Sequence, residues 1–255
     1  MHRKESDKMA MTFEPALKPL ILALDTPDLD AARRIAGRVR EQVDIVKIGL
    51  QLFSAEGRVA IDRLKQDGFE VFLDLKLIDI PNTVAAACRA LCEYEPLMLT
   101  VHTMGGQEMM RAAAAAVAGK CGETGLRRPL LIGVTVLTSF DLLTLKKVGI
   151  PDSVEEEVLR LAVLARDSGM DGLVTSPLET LPVRREVGEE MLLVTPGVRP
   201  KGAKKDDQKR VASPREAMRD GADFLVVGRP ITTSEQPAEV AASMLEEATT
   251  RTTDY

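Results

Sequence analysis

The segment Asp74-Leu75-Lys76-Leu77-Ile78-Asp79-Ile80-Pro81-Asn82-Thr83 sets three charged side chains into an otherwise mostly apolar stretch. Residues two apart on a strand share a face. Asp74 and Lys76 should therefore point one way, into a barrel interior, and Leu73, Leu75 and Leu77 the other. Two charges turned inward are costly unless they are paired or working. A plain Asp–Lys ion pair and a functional pair fit equally well on these two residues alone. Asp79 shifts the balance toward function, because it adds a third charge just before Pro81, where the strand becomes a loop. Neighbouring carboxylates favour a charged ammonium, whereas a lysine that forms a Schiff base needs a depressed pKa. Proton donation is therefore the chemistry expected of Lys76.

A second constellation suits an anion. Phe224-Leu225-Val226-Val227-Gly228-Arg229-Pro230-Ile231 is an apolar run that ends in a Gly-Arg turn. Barrels commonly bind phosphate in the loops after their last two strands, through backbone N–H groups. Gly228 would let the backbone approach the anion, and Arg229 could grip it with two hydrogen bonds. His102, in Val101-His102-Thr103-Met104-Gly105-Gly106, has no Ser or Cys partner in a triad-like pattern. It reads as a supporting histidine rather than a base.

These residues need a frame, and the chain supplies a repeating one. Short runs rich in Val, Ile and Leu fall at 20–24, 45–48, 70–75, 97–101, 130–137, 172–175, 191–195 and 224–227. Each is apolar on both faces, as buried parallel strands are. Helical patterns fill most of the gaps, at 29–41, 54–66, 83–94, 107–118, 154–167, 213–220 and 237–248. Asp28 is a candidate N-cap, and Gly68, Gly169 and Gly221 mark helix ends. The alternation predicts one α/β domain over residues 16–248, a (β/α)₈ TIM barrel. An open doubly wound sheet is the rival. Polar residues near the ends of many runs (Asp25, Lys47, Asp74, His102, Thr195, Arg229) favour the closed barrel, and no GxGxxG opens the first helix.

Two connections are long. Residues 138–152 read as a polar loop. Residues 197–210, Gly-Val-Arg-Pro-Lys-Gly-Ala-Lys-Lys-Asp-Asp-Gln-Lys-Arg, are highly charged. Such a loop is either a lid or a solvated excursion, and both readings stay open. Residues 1–15 read as a flexible arm without the apolar core of a secretory signal, and 249–255 as a polar tail.

Composition narrows the function classes. The chain has 255 residues, a net charge of −5, no Trp and two Tyr. Aliphatic side chains must fill its core. The charge balance argues against a broad nucleic-acid surface, and no apolar run is long enough to span a membrane. Cys88, Cys92 and Cys121 read as small buried thiols rather than metal ligands, consistent with a cytoplasmic protein.

Over residues 19–246 the chain resembles the orotidine 5′-monophosphate decarboxylases, in their bacterial branch. The resemblance is carried by LALD at 22–25, KIG at 47–49, DLKLIDIPNT at 74–83 and VHTMGG at 101–106. It continues through GVTVLTS at 133–139, TPGVRP at 195–200, Asp207-Gln208 and VGRPI at 227–231. Only the charged interior of the long loop and the N-terminal arm look particular to this chain. The resemblance implies decarboxylation of orotidine 5′-monophosphate to uridine 5′-monophosphate in pyrimidine synthesis, with no metal and no organic cofactor. It implies that Asp25 and Lys47 bind the ribose hydroxyls, that Asp74 faces the substrate carboxylate and that Lys76 protonates C6. Thr138 and Ser139 would contact the pyrimidine, while Arg199, Gln208, Gly228 and Arg229 would hold the phosphate. Asp79, Ile80 and Thr83 would reach into the site of a partner subunit, making the enzyme a homodimer. Magnesium-dependent sugar-phosphate decarboxylases and hexulose-phosphate synthases resemble the Asp-x-Lys-x-x-Asp core but lack the Ile80-Pro81-Asn82-Thr83 continuation. A barrel that binds phosphate without catalysis is the remaining alternative.

Overall fold

The computed structural model describes residues 17–200 and 212–250. The arm at 1–15, the interior of the long loop including Gln208, and the end of the tail lie outside the described residues.

Eight parallel strands close into a barrel in sequence order, the last pairing with the first. They are β1 (Leu20–Leu24), β2 (Ile45–Gly49), β3 (Glu70–Leu77), β4 (Met98–His102), β5 (Leu130–Val134), β6 (Gly172–Val174), β7 (Leu192–Pro196) and β8 (Phe224–Val227). The helices are α1 (Leu29–Arg38), α2 (Leu50–Glu56), α3 (Arg58–Gln66), α4 (Pro81–Cys92), α5 (Gly106–Thr124) and α6 (Leu142–Lys147). They continue with α7 (Val154–Arg166), α8 (Pro177–Val187), α9 (Pro214–Arg219), α10 (Arg229–Thr232) and α11 (Pro237–Thr249).

Period-two alternation sorts the strand side chains into two cores. Ile21, Ala23, Ile45, Phe72, Met98, Ile132, Val194, Phe224 and Val226 fill the barrel interior. Leu22, Leu24, Val46, Ile48, Leu73, Leu75, Leu99, Val101 and Leu225 pack outward with the helices. Every strand is thus apolar on both faces because both faces are buried.

Local signals hold at the helix ends. Asp28 caps α1 by accepting from the Ala31 N–H, and Ser153 and Ser213 form capping boxes with Glu156 and Glu216.

Five points differ from the sequence reading. The pattern at 54–66 is two helices, α2 and α3, because Gly57 between them has φ +55° and ψ −135°, a conformation open essentially to glycine. The fifth strand stops at Val134 rather than 137, since the chain turns at Leu137–Phe140. The polar stretch at 138–152 holds α6, capped by Asp141. Helix α8, whose weak amphipathic pattern gave no periodic signal, was not anticipated. The supposed tail at 249–255 begins inside α11, which includes Thr249.

Candidate active site

Closing the barrel brings the C-terminal parts of β1, β2 and β3 together, and their charged residues form one charge chain. Lys47 Nζ lies 3.2 Å from Asp25 Oδ1 and 3.5 Å from Asp74 Oδ2. Lys76 Nζ lies 2.8 Å from Asp74 Oδ2. Asp25 is exposed at the rim, whereas Lys47 and Asp74 are buried. Gly49 makes room for this: a Cβ there would stand 3.0 Å from Lys47 Nζ and 3.1 Å from Asp25 Oδ1.

Burial pushes the Asp74 carboxyl up, but the charges of Lys47 and Lys76 and the hydrogen bonds from Lys76 and Thr100 outweigh it. They hold Asp74 below the ordinary carboxylate range. A buried carboxylate flanked by two ammoniums is a site prepared for charge before any ligand arrives.

The expected same-face placement of Asp74 and Lys76 holds, but the strand between them is not regular. Leu73 pairs with Leu99 and Leu77 with Val101, so three residues of β3 oppose one residue of β4. Lys76 sits at φ +51° within this bulge. Side-chain-bearing residues adopt that conformation only where the surroundings hold it, and such strain collects at functional sites.

Above the charge chain opens a cleft of about 310 Å³. Asp25, Lys47, Asp74, Lys76, Thr138, Arg199, Gly228 and Arg229 line it, eight of the residues singled out from sequence. Apolar walls come from Phe72, Val134, Val136, Val174, Pro196 and Val226. Asp79, Ile80, Thr83 and Ser139 do not line the cleft of their own chain. Asp79 is exposed and accepts a 2.6 Å hydrogen bond from the Ile80 N–H. It makes no cap for α4, whose N-cap residue is Ile80. Thr195 faces away from the cleft: its hydroxyl lies 3.3 Å from that of Thr180 on α8.

His102 ends β4, and its ring is tied to the turn that follows. Its Nδ1 accepts from the Met104 N–H at 3.4 Å, and burial, with the nearby charge of Lys76, lowers its pKa. Cys88, Cys92 and Cys121 are buried free thiols. Burial pushes Cys88 and Cys92 up to about 12, so they stay protonated and inert. No cluster of three or more His, Cys, Asp or Glu side chains suited to a metal occurs among the described residues.

Sequence reasoning missed Thr100, Thr175 and Ser176. Thr175 Oγ1 is buried at the cleft wall with no hydrogen-bond partner among the described residues. The Ser176 hydroxyl bonds to the buried Glu179 carboxylate. Thr100 lies in the middle of β4, and Thr175 and Ser176 in the turn from β6 into α8; at none of these places does a lone Thr or Ser carry a distinctive spacing.

A closed parallel barrel with a lysine–carboxylate site at the C-terminal ends of its strands defines a (β/α)₈-barrel protein with an enzyme-like mouth. The chain belongs to the orotidine 5′-phosphate decarboxylase / HUMPS family, whose family model matches residues 18–244. The orotidine 5′-phosphate decarboxylase of Moorella thermoacetica is 47% identical over 89% of this chain and 91% of its own. That of Pelobacter propionicus is 45% identical over 93% and 98%. The crystal structure of orotidine 5′-phosphate decarboxylase from Lactobacillus acidophilus superposes with a TM-score of 0.80 at 34% identity, covering 91% of this chain and all of that one.

Proposed function

We propose that this protein decarboxylates orotidine 5′-monophosphate to uridine 5′-monophosphate in pyrimidine synthesis, acting as a carbon–carbon lyase. The observation that carries this reading is the Lys47–Asp74–Lys76 charge chain at the floor of the cleft, in a chain of this family. Loss of CO₂ breaks the C6–carboxylate bond and leaves its electron pair on C6. No adjacent group can delocalise that pair, so preset positive charge must stabilise it. The Lys76 ammonium supplies that charge and then its proton to C6. Asp74, held ionised, faces the substrate carboxylate and positions Lys76.

In the same reading Asp25 and Lys47 bind the ribose, and Thr138 and Ser139 meet the pyrimidine edge. Arg199, Gln208, Gly228 and Arg229 hold the phosphate. Binding energy from the phosphate, distant from C6, would be used to hold the site closed. The reaction uses no cofactor.

The active form in this reading is a homodimer in which Asp79, Ile80 and Thr83 complete the partner's site. Support comes from Asp79 and Thr83 lying outside their own cleft and from the exposure of Ile78 (54%) and Ile80 (67%) beside them. An apolar loop of this kind suits an interface better than water. Its place is the cytoplasm, a reading that agrees with its buried free thiols; no described helix is long and apolar enough to cross a membrane.

The test follows orotidine 5′-monophosphate by its ultraviolet absorbance. Turnover by the purified protein is expected. Absence of turnover, with magnesium-dependent activity on a keto-sugar phosphate instead, would replace this reading. Inactivity on both with retained phosphate binding would make the protein a binding barrel.

A further inference from the structure

The bulge in β3 leaves a gap in the ladder opposite Thr100, and the side chain of that residue fills it. Thr100 is fully buried, in register between Leu99 and Val101, opposite the three residues Asp74, Leu75 and Lys76. Its Oγ1 accepts from the Lys76 backbone N–H at 2.8 Å and donates to Asp74 Oδ1 at 3.2 Å. One hydroxyl therefore does two things. It replaces the ladder partner that the Lys76 amide lost when the strand bulged, and it fixes the carboxylate oxygen that does not face Lys76. Asp74 Oδ2 is then left to accept from Lys76 Nζ at 2.8 Å.

We infer that Thr100 is a positioning residue for the reaction: its hydroxyl holds Lys76 in its left-handed backbone conformation and aims the Asp74–Lys76 pair at the substrate. Thr100 does not line the cleft, so it acts through these two residues and not by touching a ligand. The chemistry requires one group that accepts and donates at once, within a space sized for a β-branched side chain. A hydroxyl meets that requirement and a methyl does not. The left-handed conformation at Lys76 also needs an anchor, because a buried N–H without a partner would favour relaxation to regular strand.

The inference rests on the decarboxylase reading, so its test carries a readout independent of turnover. Thr100→Val keeps the shape and removes the hydroxyl; Thr100→Ser keeps the hydroxyl. In Thr100→Val, kcat should fall about 10- to 100-fold, the loss expected when a hydrogen bond to a charged group is removed. KM should stay near the wild-type value, because the phosphate contacts are untouched. Thr100→Ser should recover most of kcat. Hydrogen exchange at the Lys76 amide should accelerate in Thr100→Val and stay protected in Thr100→Ser. Wild-type kcat in Thr100→Val, or Ser and Val variants equally impaired with equal amide exchange, would overturn the inference. Should wild type fail to turn over orotidine 5′-monophosphate, the decarboxylase reading falls, while the amide exchange of the two variants still decides whether Thr100 holds Lys76.

Discussion

The ammonium of Lys47 and the carboxylate of Asp74 stand 3.5 Å apart across the β2–β3 seam, both largely withdrawn from water. Lys47 also reaches Asp25, so one cation joins the rim of the cleft to its floor. Replacing Lys47 by Met should cost about 3 kcal/mol of stability, the lower end for breaking a buried pair, because Lys76 still faces Asp74. Denaturant midpoints measure this. A change below about 0.5 kcal/mol would mean that water already screens the pair.

Lys76→Ala should abolish turnover while leaving the barrel folded, since the lysine side chain is 31% exposed at the cleft mouth and Lys47 still faces Asp74. Borohydride with substrate should trap no covalent adduct. A trapped adduct on Lys76 would show an amine nucleophile and overturn the proton-donor role.

Arg229, exposed at the start of α10, lines the cleft beside Gly228. Arg229→Ala should lower kcat/KM for the phosphorylated substrate by roughly 10-fold or more, as loss of a charge-assisted hydrogen bond does. With the substrate lacking its phosphate, the same substitution should add little further loss. Equal losses on both substrates would remove the phosphate from Arg229's role.

Shared sites make a prediction that a single-chain site cannot. Lys76→Ala and Asp79→Ala are each expected to be inactive. Mixed and allowed to exchange subunits, they should regain activity, because one site of each heterodimer would hold both lesions and the other neither. Heterodimers seen by native mass spectrometry without activity would place Asp79 in its own chain's site.

His102 predicts a pH effect with a definite sign. Burial, aided by Lys76, lowers its folded-state pKa, so the folded protein prefers the neutral ring. The unfolded chain takes up that proton near pH ~6.5. Stability should therefore be full above that value and decline as pH falls toward the lower folded-state pKa. The decline between about pH 7 and pH 5 should be shallower in His102→Gln. An identical slope in both proteins would show that other groups carry it.

The sequence by itself determined the class of fold and half of the site. Apolar runs buried on both faces, separated by amphipathic stretches, leave few architectures, and period-two alternation places Asp74 and Lys76 on one face while Leu73 and Leu75 pack outward. These are local properties, written in the spacing of neighbouring residues. Two other signals were too weak to read: α8 has little amphipathic contrast, and the break at Gly57 depends on one backbone angle. What only the tertiary structure decided depends on register between strands far apart in sequence. Closure set Lys47 between Asp25 and Asp74, and it left Asp79 outside its own cleft. It also fitted three residues of β3 against Thr100, so that a threonine with no motif around it came to hold the backbone of Lys76. Which residue faces a bulge is settled when all eight strands pair at once, and no local pattern records that.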